Sequence, residues 1–231
     1  RNLDTEPQPG LNGRVGYQPR GKVLGGSSAV NAMVYIRGHR SDYDHWASLG
    51  NTGWSYDEVL PYFRKSEHNE VYNDEYHGQN GPLNVSNLRT DNPVHQMYLE
   101  AARQVGYPII EDFNGAEQEG VGIYQVTQKN GERWSAARAF IHPHMGTRPN
   151  LKVELQAQVR RILFEGKRAI GVEIDQGGVT RILRANREII ISAGAFHTPQ
   201  LLLLSGVGDG ADLQKLGIPV VHHLPGVGKN L

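Results

Sequence analysis

The chain has 231 residues, with 24 Lys plus Arg against 24 Asp plus Glu, and no cysteine. That length can bury a real core as one large domain or one and a half, while the balanced charge gives no global field that favours nucleic acid, an anionic membrane or an acidic substrate. The lack of thiols excludes disulfides, thiolate zinc sites and cysteine nucleophiles, fits a reducing compartment, and leaves any redox chemistry to a bound cofactor.

Arg1 to Arg20 is rich in Pro, Gly, Asn and Gln with no apolar period, and reads as an extended loop arriving from something upstream. Gly21 to Gly38 follows, where a glycine pair and two serines precede Val30, Met33 and Val34; this reads as a loop feeding a helix N-terminus. A second helix starts at Ser55, which forms a capping box with Glu58, flanked by Trp54 and Val59 at the positions of a hydrophobic staple. Pro61 is expected to bend or shorten it. A third helix begins at Asn92 with Pro93 at its first position, carries Val94, Met97, Tyr98, Ala101 and Val105 on one face, and stops at Gly106.

From Asn150 the period changes to two. Leu151, Val153 and Leu155, then Val159 to Phe164, then Ile170, Val172 and Ile174, with turns at Gly166 and Gly177-Gly178, predict a β-meander. Glu188 to Ser192 is a short, continuously apolar run of the kind buried on both faces of a parallel sheet. Ala193-Gly194-Ala195 then turns into a helix through Leu201 to Leu204, and this strand, turn and helix can bring backbone amides to a nucleotide. The apolar runs Ile189 to Ile191 and Leu201 to Leu204 fall far short of the roughly 20 residues that span a bilayer, and the first residues show no secretory pattern. A sequon at Asn84-Val85-Ser86 is set aside as a chance triplet.

Leu24-Gly25-Gly26-Ser27-Ser28 has the ingredients of an anion site, in which glycines let the backbone approach and serines donate hydroxyls. An ordinary glycine turn with a serine cap explains the same residues. His142 with His144, and His222 with His223, lack the spacing and the nearby carboxylate of a metal set, so no metal ligand is assigned. His197 fits either an approach to a cofactor or plain packing at a helix start. Gly206-Val207-Gly208-Asp209-Gly210 has the look of a dinucleotide clamp but follows a helix, and is rejected as one. Ser205-Gly206 ends a helix and does not make a hydrolase nucleophile elbow.

The run from Gly21 to Asp44 contains Gly21-Lys22, Leu24 to Ser28, Val30-Asn31, Tyr35, Gly38 and Asp44 in register. It resembles the first motif of the glucose-methanol-choline (GMC) oxidoreductases. Gly194-Ala195, Thr198-Pro199, Leu202-Leu203 and Ser205 to Gly208 resemble the second. The likeness continues through Asp112 to Gly115, Glu119 to Gly122, Ser135 to Arg138, Arg148 to Leu151 and Pro225 to Gly228, so it covers essentially the whole chain. The nearest members by this reading are bacterial alcohol dehydrogenases with a non-oxygen acceptor, then choline dehydrogenases.

The resemblance implies an α/β fold with α+β character in its substrate part: an incomplete FAD-binding domain with an inserted β-meander, plus part of a substrate-binding domain. The expected segments are 1–60, flavin-contacting; 61–149, on the substrate side; and 150–231, meander and return to the FAD-binding sheet. It also implies that Val23, Leu24, Gly25, Gly26, Ser27, Ser28, Asn31, Ala32, Met33 and Val34 lie along the pyrophosphate and isoalloxazine of FAD. The Val159 backbone would meet the adenine, and Ser192, Ala193 and Gly194 would lie near the nucleotide. From the residues alone, Asn31 also fits a local turn bond and Val159 plain strand core.

Members that tether flavin covalently do so through a histidine where this chain has Val30, so FAD is expected to be non-covalent. The family's GxGxxG strand-turn and its C-terminal catalytic histidine match nothing here, so missing N- and C-terminal parts of the same protein are expected and no catalytic residue is assigned. The implied activity is oxidation of a primary alcohol to an aldehyde, with a quinone-like electron acceptor. Choline dehydrogenation, or a hydroxynitrile-lyase-like FAD protein without net redox, are the alternatives. The expected setting is cytoplasmic or at the membrane periphery, and the piece alone is expected to be inactive.

Overall fold

The computed structural model describes residues 3–230, which form two compact units, Arg1–Leu151 and Lys152–Leu231. The division expected at residue 60 lies inside helix α2 (Tyr56–Ser66). That helix packs on α1 (Arg40–Ser48) and runs directly into β1 (Glu67–Asn69), which keeps the first unit whole.

The first unit opens on a loop. It is closed on itself by bridges between Asp4 and Tyr17 and between Gln8 and Arg14, around one 3₁₀ turn at Pro9–Leu11; Arg1 and Asn2 of the expected extended segment lie outside the described residues. The helix expected after Gly26 does not form. Gly26–Ala29 makes a single 3₁₀ turn and the chain then extends. Met33 adopts φ 65°, and Val34 bridges Val126, so strand pairing overrides the helical spacing of Val30, Met33 and Val34.

Helix α2 follows its sequence signals. The Glu58 carboxylate accepts from Ser55 N–H at 3.1 Å and from Ser55 Oγ at 2.6 Å. Val59 is buried, and Trp54 meets Trp46 edge-on at 5.6 Å. Pro61 neither shortens nor ends the helix, since it falls early enough that only one backbone bond is lost. Strand β1 pairs parallel with β2 (Leu83–Asn87), which pairs antiparallel with β3 (Gln125–Val126). β4 (Gln128–Lys129) and β5 (Glu132–Arg133) close a hairpin through Asn130 and Gly131, both at positive φ. The sequon lies in β2, where Asn84 is 2 % exposed and its amide donates to Glu70 Oε1 and the Gln128 carbonyl; no glycan can reach it.

Helix α3 (Pro93–Gln104) starts where its sequence says, with Asn92 Oδ1 accepting from Val94 N at 3.0 Å, and Gly106 beyond it takes φ 88°. Its apolar face is not buried, however: Val94, Met97, Tyr98 and Val105 are all exposed, and only Ala102 is covered. Polar side chains share the interior of this unit with apolar ones such as Val85, Phe113 and Val126. Arg37 and Glu67 pair at 2.8 Å with both side chains buried, and Asn69, Asn84, Asn114 and Gln125 are buried around them.

The second unit is built on the meander β6 (Ala157–Glu165), β7 (Arg168–Gln176) and β8 (Val179–Arg184), with turns at Gly166 and at Gly177-Gly178. Ile162 and Ile174 are its buried centre. Leu151, Val153 and Leu155 stay outside any strand. Helix α4 (Gly194–Leu204) packs on β6, and the Ser205 hydroxyl at its end accepts from Ile162 N at 2.8 Å while donating to the Leu201 carbonyl at 2.6 Å. Beyond it lie β9 (Val207–Gly208), α5 (Gly210–Lys215) and β10 (His222–His223), with β9 and β10 parallel. Glu188–Ser192, expected as a buried strand, has no ladder partner among the described residues, and Ile190 is 79 % exposed. A strand of this kind needs neighbours on both sides. No helix among the described residues is long and apolar enough to cross a membrane.

Candidate functional site

The sequence-predicted residues fall into two sets, one in each unit. In the first, the loop from Val23 to Val34 is tied down from behind. Gly25 and Gly26 have φ of 92° and 57°, a region that side chains rarely adopt, and a Cβ on Gly25 would lie 3.1 Å from that of Ala137. Gly21 is required for space, since its Cβ would meet the Gly26 carbonyl oxygen at 2.3 Å.

The serines serve the loop itself more than a ligand. Ser28 Oγ donates to the Gly25 carbonyl at 2.6 Å and accepts from Ala136 N at 2.9 Å, while Ser27 Oγ accepts from Gly21 N at 3.3 Å. The single proton of the Ser28 hydroxyl, expected to serve an anion, is thus spent within the loop. The electropositive helix end expected behind them is likewise reduced to one 3₁₀ turn. Arg133, which the sequence did not single out, reaches across with Nη1 to the Ser28 carbonyl at 3.1 Å and to Asn31 Oδ1 at 2.9 Å. Asn31 Oδ1 also accepts from Met33 N at 3.1 Å.

These ties leave one side of the run open. Val23 is 55 % exposed, Val30 62 % and Val34 43 %, with Asn31 and Ala32 exposed between them. Met33, at φ 65°, holds a left-handed conformation that costs about 1–2 kcal/mol in an L-residue. It persists because the Met33 carbonyl accepts from Thr127 N at 2.8 Å and Tyr35 N donates to the Gln125 carbonyl at 2.9 Å. Further along, burial pushes the Tyr35 phenol above its ordinary range, with Arg37 opposing the shift.

In the second unit, Val159 lies in β6 opposite Ile174, just before a bulge. Ser192 and Ala193 are exposed, Ala193 N donates to Thr198 Oγ1 at 3.1 Å, and Gly194, at φ 88°, starts α4. A cleft of about 310 Å³ opens beside this turn, lined by Phe196, Pro199, Gln200, Leu203 and Lys229 among others. The segment Gly206–Gly210 does run from a short strand into a helix. Its helix end is already filled by Asp209, whose Oδ1 accepts from Ala211 N at 2.9 Å and Asp212 N at 3.2 Å; those bonds, that to Asp212 first, hold the Asp209 carboxyl below its ordinary range.

Several histidines are engaged in the fold. His39 accepts from Ser41 N at the start of α1, His77 is buried against Asp74 at 2.8 Å, His68 bonds the Gln79 carbonyl, and His223 Nδ1 accepts from Gly210 N at 2.9 Å.

The glycine loop of the first unit is thus backed by Ser135–Ala137 and Arg133, and the small-residue turn at Ser192–Gly194 belongs to the second unit. The family model for GMC oxidoreductases matches residues 8–231. The chain belongs to the GMC oxidoreductase family. The GMC chain is 55 % identical over 227 residues to mitochondrial choline dehydrogenase of Mus musculus, covering 98 % of this chain and 38 % of that one. It is 47 % identical over 227 residues to oxygen-dependent choline dehydrogenase of Sinorhizobium medicae, covering 98 % and 41 %. Among solved structures, pyridoxine 4-oxidase from Mesorbium loti superposes with TM-score 0.90 at 32 % identity over 97 % of this chain and 44 % of that one. An FAD-dependent oxidoreductase from Chaetomium thermophilum gives 0.90 at 36 % identity, over 97 % and 41 %. The expected family and its mixed α/β, FAD-protein fold are thereby established. The GMC chain spans about two-fifths of the length of the curated relatives it matches.

Proposed function

We propose that this GMC chain is the part of an FAD-dependent dehydrogenase that presents one face to the flavin, and that the whole protein oxidises a primary alcohol to an aldehyde. A choline-type alcohol is the substrate favoured by the relatives, which are named choline dehydrogenases at 55 % and 47 % identity. The carrying observation is the Val23–Val34 run: anchored from behind by Arg133, Ala136 and Thr127 and open in front.

The residues present suit a flavin. Ala32 adds no bulk, Val23 and Val34 offer apolar surface that excludes water, and Asn31 is held by Arg133 with its amide group exposed. Val23, Leu24, Gly25, Gly26, Ser27, Ser28, Asn31, Ala32, Met33 and Val34, with Val159, Ser192, Ala193 and Gly194, are the residues proposed to contact FAD. Val30 offers no nucleophile, so the cofactor is held without a covalent link. When bound, FAD supplies a two-electron acceptor for the hydride of the alcohol carbon, and a quinone-like acceptor takes the electrons on. We assign no proton acceptor to this chain. A cytoplasmic setting, or one at the membrane periphery, belongs to the same reading, and cell fractionation tests it.

The activity test is anaerobic. Choline or a simple primary alcohol added to the flavin-loaded protein should bleach the flavin absorbance near 450 nm in proportion to substrate, an expectation from flavin two-electron chemistry. Unchanged absorbance together with cyanohydrin cleavage would replace the dehydrogenase reading by a lyase.

A further inference from the structure

Beyond Tyr35 the backbone pairing that steadies the flavin-facing run stops, and a side chain takes over. Val34 bridges Val126 and Tyr35 N donates to the Gln125 carbonyl at 2.9 Å, the last main-chain bonds of that pairing. From there, Asn114 Nδ2 donates to the Tyr35 carbonyl at 3.1 Å and Asn114 Oδ1 accepts from Arg37 N at 2.8 Å. One donor to residue i and one acceptor from residue i+2 is the pair of bonds that a residue of a parallel strand makes to its neighbour. The Asn114 carboxamide therefore stands in for a missing strand.

The carboxamide is itself fixed. Asn114 is 4 % exposed, its own N–H donates to Asp112 Oδ1 at 2.9 Å, and Asp112 Oδ2 lies 3.5 Å from the buried His77 Nε2. Gln118 Nε2 bridges the Arg37 and Phe113 carbonyls at 3.0 and 2.9 Å, closing the same corner. Asparagine is the side chain that meets both demands at this reach. Aspartate lacks the donor, serine offers a single centre, and glutamine is one carbon longer.

We propose that Asn114 is a positioning residue, which clamps Tyr35 and Arg37 so that the strained Met33 backbone, and with it Asn31 to Val34, stays set for the flavin. The inference rests on the FAD reading above. A non-glycine residue in the left-handed region persists only where its surroundings over-determine it. Here the Thr127 and Gln125 bonds hold one flank of Met33 and the Asn114 pair holds the continuation.

The test uses the flavin-loaded full-length protein and its Asn114→Ala and Asn114→Asp variants. Folding is followed by circular dichroism, and FAD affinity and the visible flavin spectrum are measured between pH 8 and pH 5. The clamp predicts FAD affinity at least tenfold weaker in Asn114→Ala at every pH, with shifted flavin bands. In Asn114→Asp the same loss appears at pH 8 and recedes toward pH 5, because burial and the nearby Asp112 carboxylate raise the introduced carboxyl, and its protonated form regains a donor for the Tyr35 carbonyl. Folded variants that bind FAD within twofold of the unaltered protein, with unshifted bands, overturn it. So does failure of both variants to fold, which would make Asn114 a folding residue only. If Asn114→Ala alone fails to fold, the pH course of Asn114→Asp decides. An unaltered protein that binds no FAD is seen before any variant is made, and overturns the FAD reading and the clamp together.

Discussion

At the scale of single residues, the first unit contains a buried charge pair in which each member neutralises the other. Glu67 Oε2 accepts from Arg37 Nη2 at 2.8 Å and from Gly78 N at 2.9 Å, and Oε1 accepts from Asn69 Nδ2 at 3.0 Å. Removing one member of a buried pair strands the other charge out of water, which costs about 3–5 kcal/mol, while replacing both by well-packed apolar groups is often neutral. Glu67→Gln also turns an NH₂ group toward a donor whichever way its amide sits, toward Arg37 and Gly78 or toward Asn69 Nδ2. Urea unfolding of Glu67→Gln should show its midpoint lowered by a cost of that order, and the double variant Arg37→Met with Glu67→Leu should recover only part of it, because Gly78 N, Asn69 Nδ2 and the Tyr76 carbonyl then lose their partners. A single variant within about 1 kcal/mol of the parent, against that expected range, would show the pair to be solvated.

At the scale of elements, local signals worked wherever the element is stabilised by its own neighbours in sequence. The Ser55 and Glu58 box, the Asn92 cap and the glycine turns of the meander were all legible, because each is a contact of a few residues' span. Capping also makes a pH prediction. Hydrogen bonds, first from the Ser55 side chain and then from its backbone N–H, hold the Glu58 carboxyl below its ordinary 4.5. A folded value below the unfolded one means that the contribution to α2 is fully present above about pH 4.5 and is lost as pH falls through the lowered folded value. The protection of the backbone amides of α2, taken relative to the intrinsic exchange rate at each pH, should therefore fall below pH 4.5, and Glu58→Gln should flatten that dependence. An equally steep loss of protection in the variant would assign the effect elsewhere.

Other elements were misread, for reasons that are equally physical. The helix drawn after Gly26 gave way because Met33 and Tyr35 find partners in Thr127 and Gln125, some ninety residues on in the sequence. The Asn130-Gly131 hairpin was within reach of turn chemistry and went unread; it is the turn that brings Arg133 toward Asn31. At the candidate site, the glycines could be picked out from the sequence by their motif. The supports supplied by Asn114, Arg133 and Ala136 could not, since each acts through a contact that only the folded chain creates.

For the molecule as a whole, the apolar face of α3 sets an expectation about behaviour in solution. Val94, Met97, Tyr98 and Val105 form the stripe that a helix normally turns inward, yet all four are exposed. Contiguous apolar surface of this kind favours association in water, and a net charge of +0 offers little repulsion against it. A sample of residues 1–231 should therefore bind a hydrophobic dye and sediment faster as concentration rises. The stripe can be separated from general instability by charge. Met97→Glu with Val105→Lys alters exposed positions only, where substitutions usually shift stability by no more than about 0.5 kcal/mol. The pair should cut dye binding and concentration dependence together while the melting temperature stays in place. Association unchanged by that pair would move its source from α3 to the unladdered Glu188–Ser192 segment, whose exposed backbone is an edge ready to pair with another chain.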